Sequence, residues 1–311
     1  MRVLNLTDVE ASEIKYTISR FPDGQQQVAI KILEKELIYS DLHPIGGASI
    51  KSWEYPVVQI KARLNNFQDL ELIICATKSL RNLGVKKIHL YTPYFLGSRS
   101  DRQFEEGGNN YLKDVICPII NSLNFKSVTV LDPHSDVLEA CLNNFNKDSN
   151  IKLIVHSLGK IYKDLNLNQF ILVSPDAGAN KKIYKLAKQI GYEGDIITCS
   201  KERNTSGELV ETTVPIRQRH QGKDIIIIDD ICDGGATFIN IAKSIKEDKF
   251  FKDCKIYLIV THGIFSKGFI PLAQYFDGIF CTNSYKNIEL SSSFYETYNI
   301  DPKFVQQLKV I

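Results

Sequence analysis

The sequence predicts an α/β fold of two similar halves, each a mainly parallel sheet flanked by helices. Three observations lead there. Segments with helical and with strand periodicity alternate along the chain, which is the pattern of a parallel sheet covered by helices. The same alternation starts again in the second half. Finally, Asp224-Ile225-Ile226-Ile227-Ile228-Asp229-Asp230 sets a run of isoleucines ahead of a carboxylate pair, as expected of a strand buried on both faces.

In the N-terminal region Val28, Ile30 and Ile32 alternate with polar neighbours, and a second extended stretch runs from Tyr55 to Ala62. This region is expected to be rich in strands, with Asp41-Leu42-His43-Pro44-Ile45-Gly46-Gly47 as a loop between them. Leu70, Ile73, Ile74, Leu80 and Leu83 give residues 66–83 an apolar helical face, which Gly84 can end before a strand over 86–94. A second helix is predicted over 109–124, kinked at Pro118, and a strand over 127–131. Asp136 reads as the N-cap of the next helix.

The polar run Asn143-Asn144-Phe145-Asn146-Lys147-Asp148-Ser149-Asn150 reads as a linker, dividing the chain into 1–147 and 148–295. The tail, about residues 296–311, is free on this reading to pack back on the first half. In the second half, strands are predicted over 170–173 and 195–199. Between them a helix over 182–190 carries Ile183, Leu186, Ala187 and Ile190 on one face. After the isoleucine strand, Phe238, Ile241, Ala242 and Ile245 recur at i, i+3, i+4 and i+7, and 256–260 returns to strand.

Composition narrows the function classes. With 311 residues, 43% hydrophobic and 24% charged, the chain is an ordinary globular one, and its formal net charge of +2 gives it neither a nucleic-acid-binding nor a membrane-binding character. Cys75, Cys117, Cys141, Cys199, Cys232, Cys254 and Cys281 are scattered without C-x-x-C spacing, so they are expected to be reduced, buried residues of a cytoplasmic protein. No apolar signal region or membrane-length apolar run is present. Phosphate chemistry must then come from local sites. The turn Asp229-Asp230-Ile231-Cys232-Asp233-Gly234-Gly235-Ala236-Thr237 offers one, with backbone N–H groups for phosphate and carboxylates for hydroxyls or a metal.

Several separated segments agree in order with one family. They are Arg20-Phe21-Pro22-Asp23-Gly24, Pro93-Tyr94-Phe95-Leu96-Gly97-Ser98-Arg99-Ser100-Asp101-Arg102, Asp132-Pro133-His134, Ser174-Pro175-Asp176-Ala177-Gly178, Lys201-Glu202-Arg203 and the Asp229–Thr237 turn. Thr261-His262 and Thr282-Asn283-Ser284 come after them. In this the chain resembles the ribose-phosphate pyrophosphokinases, over most of its length. The resemblance implies two phosphoribosyltransferase-like domains and transfer of the diphosphate of Mg-ATP to a 5-phosphoribosyl acceptor.

The same resemblance implies residue roles. Phe21, Asp23 and Gln25 would lie near the ATP adenine, reaching it from a neighbouring subunit, with Arg99, Ser100 and Asp101 as the ATP loop. Lys201, Arg203 and Arg99 would meet the charge that moves during transfer, and His134 and Asp176 would bind Mg²⁺. Asp229 and Asp230 would hold the ribose hydroxyls, while Asp233, Gly234, Gly235, Ala236 and Thr237 surround the 5-phosphate. The partners implied are ATP, a 5-phosphoribosyl substrate and further copies of the chain in a dimer or hexamer.

Departures from the family pattern leave the acceptor open. Gln25 stands where the family has Glu, Ser100 where it has Gln, and the basic run after Arg102 is replaced by Gln103-Phe104-Glu105-Glu106-Gly107-Gly108, which bears on regulation by phosphate and ADP. Gly234-Gly235-Ala236-Thr237 replaces Thr-x-Gly-Thr, so one hydroxyl donor is missing. Ribose 5-phosphate is the expected acceptor. ADP-ribose, whose 5-phosphate is esterified further, is the alternative if the smaller loop leaves room, and would place the enzyme in NAD metabolism. A non-catalytic homologue and a phosphoribosyltransferase are the readings from other classes.

Overall fold

The computed structural model describes residues 1–31, 37–40, 50–53, 56–162, 166–203, 209–251, 253–288 and 308–310. The chain divides into two compact units, Met1–Asp148 and Ser149–Ile311. Ile32, Tyr55 and the expected loop Asp41–Gly47 fall outside the described residues.

The first unit contains β1 (Arg2–Asn5), the antiparallel pairs β2 (Tyr16–Arg20) with β3 (Gln26–Ile30) and β4 (Leu37–Ser40) with β5 (Ile50–Trp53), then β6 (Val57–Lys61) and α1 (Phe67–Asn82). It continues through β7 (Lys87–Thr92), α2 (Cys117–Ser122), β8 (Ser127–Leu131), α3 (Val137–Cys141) and β9 (Phe145–Asp148). Its main sheet has the order β1-β6-β7-β8-β9, and every ladder in it is parallel. α1 buries Leu70, Ile73, Ala76, Thr77 and Leu80 against this core, and Asn66 caps it by accepting the Asp69 N–H at 2.9 Å.

Three expectations for this unit change. The helix predicted over 109–124 opens with a π-helical stretch, Tyr111–Ile116, and only then becomes α2. Pro118 has no N–H to extend the i→i−4 ladder, so the break falls in the turn before it and not at the proline itself. Asp136 occupies the N-cap position of α3 but makes no side-chain capping hydrogen bond. The polar run read as a linker supplies β9, whose Phe145 packs on the core while Asn146, Lys147 and Asp148 face solvent. An edge strand exposes one side to water, which suits polar residues.

The second unit contains α4 (Ile151–Ile161), β10 (Phe170–Ser174), α5 (Asn180–Ile190), β11 (Ile196–Thr198), β12 (Ser200–Arg203), β13 (Leu209–Thr213) and β14 (Asp224–Cys232). It ends with α6 (Ala236–Glu247), β15 (Ile256–Gly263), α7 (Ile270–Ala273), β16 (Gly278–Thr282) and β17 (Leu308–Val310). The six-stranded sheet has the order β11-β10-β14-β15-β16-β17, again parallel throughout. β17 is the described part of the tail, and it pairs with β16 of this unit instead of joining the first, covering backbone groups that would otherwise form a bare sheet edge.

The isoleucine run behaves as a strand buried on both faces. Ile225 and Ile227 join a cluster with Val173, Phe238 and Ile241, whereas Ile226 and Ile228 join one with Ile154, Ile183 and Leu186. All four isoleucines are at most 4% exposed. Among the described residues no helix is long and apolar enough to cross a membrane. Ile226→Ala and Ile227→Ala are each expected to lower the unfolding free energy by about 2–5 kcal/mol. Urea titration of both variants checks this, and a near-silent substitution at either position would show that its face is not core.

Candidate functional site

From β10 the chain moves one way across the sheet to β11 and then returns past β10 to form β14 on the other side. The carboxyl ends of β10 and β14 therefore flank a topological switch point, where an open parallel sheet leaves a crevice. Two turns predicted from the sequence border it. Residues 174–179 lead from β10 to α5, and residues 233–235 lead from β14 to α6.

Each turn is shaped for close backbone approach. Ser174 Oγ donates to the Asp176 carbonyl at 2.7 Å, and the Ala179 N–H donates to Asp176 Oδ1 at 3.2 Å. A Cβ on Gly178 would sit 3.2 Å from that same oxygen, so glycine lets the carboxylate fold over the turn. In the other turn Gly235 has φ +80°, and a Cβ there would press on the Leu272 side chain at 3.0 Å. Neither α5 nor α6 has a side-chain cap hydrogen bond. The N-terminal N–H groups and dipole of α6 are thus available to an anion in the crevice, whereas at α5 the Asn180 and Lys182 N–H groups already donate to the Ala177 and Ala179 carbonyls, at 3.3 and 3.1 Å.

The carboxylates converge here. Asp229 Oδ1 accepts the Asp230 N–H at 2.9 Å, folding the Asp229 side chain back toward its neighbour. Burial, the adjacent Asp230 carboxylate and, further off, Asp176 push the Asp229 carboxyl well above the usual carboxylate range. Asp230 is only 4% exposed and is held by Lys182 Nζ, from the first turns of α5, at 2.7 Å. The resemblance assigned Asp230 to the sugar together with Asp229; the structure also ties it to Lys182, a residue the sequence reading missed. The cationic pair Lys181-Lys182 just after the Asp176 turn was the available signal.

The ends of β15 and β16 form a polar network beside this crevice. His262 Nδ1 lies 2.8 Å from Ser284 Oγ, and both Ser284 Oγ and Thr282 Oγ1 donate to the Thr261 carbonyl, at 3.1 and 2.6 Å. Asn150 Nδ2 donates to Thr261 Oγ1 at 3.2 Å. The Thr261-His262 and Thr282-Asn283-Ser284 segments therefore meet, across the β15–β16 ladder.

Lys201 and Arg203 lie on β12, in register with Thr212 and Leu209 of β13. β13 pairs along β12 and leads to the buried Val214; 204–208 fall outside the described residues. In the first unit, Phe21, Asp23 and Gln25 are exposed around the β2–β3 turn, where the Phe21 N–H donates to the Gln25 carbonyl at 2.9 Å. The Arg99–Asp101 loop is anchored by Ser100 N–H to Gly97, Leu112 N–H to the Ser100 carbonyl and Asn110 Nδ2 to the Asp101 carbonyl, with Arg99 exposed. His134 is exposed after β8.

Among the described residues no three His, Cys, Asp or Glu side chains gather closely enough to hold a metal ion on their own. The concentration of carboxylates at Asp176 and Asp229 nevertheless suits a hard cation that takes its remaining oxygens from water or substrate phosphate, the usual habit of Mg²⁺. His134, also assigned to the metal, offers a nitrogen donor, which that ion takes less readily than oxygen.

At Gly234 the phosphate loop is bordered by a lysine side chain. A Cβ on Gly234 would find Cγ, Cδ and Cε of Lys267 at 3.5–3.7 Å, so a lysine stem already lies over the glycine.

The electrostatics of the crevice give two testable outcomes. Lys182→Met leaves Asp230 buried without its cation and is expected to cost about 3 kcal/mol of stability, read from the urea midpoint; an unchanged midpoint would contradict the pairing. Because the folded state raises the Asp229 pKa, its contribution to stability is present below the ordinary carboxylate pKa and is lost as pH rises through the folded value. In ligand-free protein, Asp229→Asn should therefore raise Tm at neutral pH by a few degrees, at roughly 2–4 °C per kcal/mol. Identical Tm profiles against pH for the two proteins would contradict this.

Residues 144–263, which include both crevice turns, match the family model for the phosphoribosyl transferase domain. The chain is 26% identical over 223 residues to the ribose-phosphate pyrophosphokinase of Saccharolobus solfataricus, covering 72% of this chain and 68% of the relative. With the protein of the same name from Thermococcus kodakarensis the identity is 24% over 281 residues, covering 90% and 89%. Among solved structures, phosphoribosylpyrophosphate synthetase from Mycobacterium smegmatis superposes with a TM-score of 0.72 at 16% identity, covering 100% of this chain and 94% of that one, a likeness of fold. Taken with the ordered motifs and the parallel sheets, these matches make the chain similar to the ribose-phosphate pyrophosphokinases over most of its length, with a phosphoribosyl transferase domain in its second unit.

Proposed function

We propose that the protein transfers the β,γ-diphosphate of Mg-ATP to the anomeric hydroxyl of ribose 5-phosphate, giving 5-phosphoribosyl 1-diphosphate (PRPP) and AMP. The observation that carries this reading is the switch-point crevice, where the Asp229 carboxyl and the Asp176 turn stand with the N-terminus of α6, which lacks a side-chain cap. Such a site takes a sugar hydroxyl and phosphate groups together. The names of the relatives support the same substrate class.

In this reaction the anomeric oxygen attacks the β-phosphorus, the bond from that phosphorus to the α,β-bridging oxygen breaks, and AMP departs with the bridging oxygen. The hydroxyl proton passes to water. Asp229 accepts from the ribose hydroxyls, and Asp230, steadied by Lys182, fixes its position. Asp233 and the N–H groups and hydroxyl of 234–237 hold the 5-phosphate. The 174–179 turn receives the diphosphate on its backbone, and Arg99, Lys201 and Arg203 are assigned to the charge that shifts during transfer. Phe21, Asp23, Gln25, Ser100 and Asp101 are assigned to the nucleotide. Bound Mg²⁺ supplies further charge neutralisation at the phosphoryl oxygens, with Asp176 and Asp229 as the residues that would hold it. Assembly into a homo-oligomer belongs to the same reading.

Lys201→Ala is expected to lower turnover by roughly 10²–10³ with the fold intact. Near-normal turnover would remove Lys201 from the mechanism. AMP release measured with Mg-ATP and either ribose 5-phosphate or ADP-ribose tests the acceptor. Release with ribose 5-phosphate is expected, and release with ADP-ribose alone would sink the proposal.

A further inference from the structure

The turn after β15, Ile264-Phe265-Ser266-Lys267-Gly268, stands beside the phosphate loop and is firmly held. The Ile264 and Phe265 N–H groups both donate to the Cys232 carbonyl, at 2.9 and 3.1 Å, one residue before Asp233. Phe265 is buried at φ +47°, with its ring so close over Gly263 that a Cβ there would lie 2.3 Å from it. The Gly268 N–H closes the turn on the Phe265 carbonyl at 3.0 Å. These contacts tether the backbone around Lys267 to the strand end that begins the phosphate loop.

From that turn the Lys267 stem runs over Gly234, with Cγ, Cδ and Cε at van der Waals distance from the place a Cβ would occupy. Its ammonium is one bond beyond Cε. Among the described residues no hydrogen bond or ion pair engages Lys267. A cation held over a phosphate-shaped turn, with the N-terminus of α6 behind that turn and without a side-chain cap, is complementary to an anion there.

We propose that Lys267 is a binding residue for the 5-phosphate of the acceptor, its stem filling the space left by the absent side chain at Gly234 and its ammonium replacing the absent hydroxyl donor. This rests on the sugar-phosphate reading of the site. It also favours a terminal phosphate monoester as the acceptor group, because an ammonium pairs best with a dianion.

The test combines calorimetric binding of ribose 5-phosphate with AMP release, for wild type, Lys267→Ala and the double variant Gly234→Thr/Lys267→Ala. Loss of Lys267 should weaken ribose 5-phosphate binding and raise its KM roughly 10- to 100-fold, as for removal of a charge-assisted hydrogen bond, with the KM for ATP near wild type. Gly234 is not in the left-handed region, so it accepts a side chain, and threonine there should recover most of the lost affinity. Unchanged ribose 5-phosphate binding in Lys267→Ala, or no binding to wild type, would overturn the inference. A double variant no tighter than the single one would overturn the sharing of one space. If wild type binds ribose 5-phosphate through Lys267 but releases no AMP, only the reaction assigned above fails.

Discussion

The second unit depends on burying Asp224–Cys232 on both faces. Helices α4 and α5 cover one side of β14 and α6 covers the other, so the strand runs through the sheet with its isoleucines divided between two cores. The strand end must then emerge at the switch point between β10 and β15, and the residues next after the isoleucines are delivered to the crevice. The first of them is Asp229, a carboxyl placed where solvent is scarce and like charge is close. A site that raises the energy of its own anion has a reason to hold a cation or a hydroxyl donor.

The neighbouring features limit that electrostatic cost. Lys182 neutralises Asp230, so the uncompensated charge is concentrated at Asp229. Glycine at 178 and 235 brings the backbone close to the crevice, and α6 begins there without a side-chain cap to occupy its N–H groups. The Thr261–His262–Ser284 network ties the next strands together beside it. Packing, turn geometry and charge therefore converge on one place in this unit.

Much of this was legible in the sequence. Periodicity alone located the buried strand, the helix faces of α5 and α6 and the repeated α/β order, because burial on a helix or sheet face is recorded residue by residue. Order among short motifs located the crevice turns, since each turn must come directly after its own strand. The features that stayed hidden depend on tertiary partners. β9 is an edge strand of polar residues and carries no apolar signature. The pairing of β17 with β16 joins segments distant in sequence, and so do the contacts of Lys182 with Asp230 and Lys267 with Gly234.

Product identity tests the central claim most directly. Phosphorus NMR of wild-type protein incubated with Mg-ATP and ribose 5-phosphate should show AMP together with a sugar bearing a 5-monophosphate and a 1-diphosphate, the inner phosphorus of that diphosphate coupled to the anomeric proton. ADP with inorganic phosphate, or an unchanged sugar phosphate beside consumed ATP, would contradict the account.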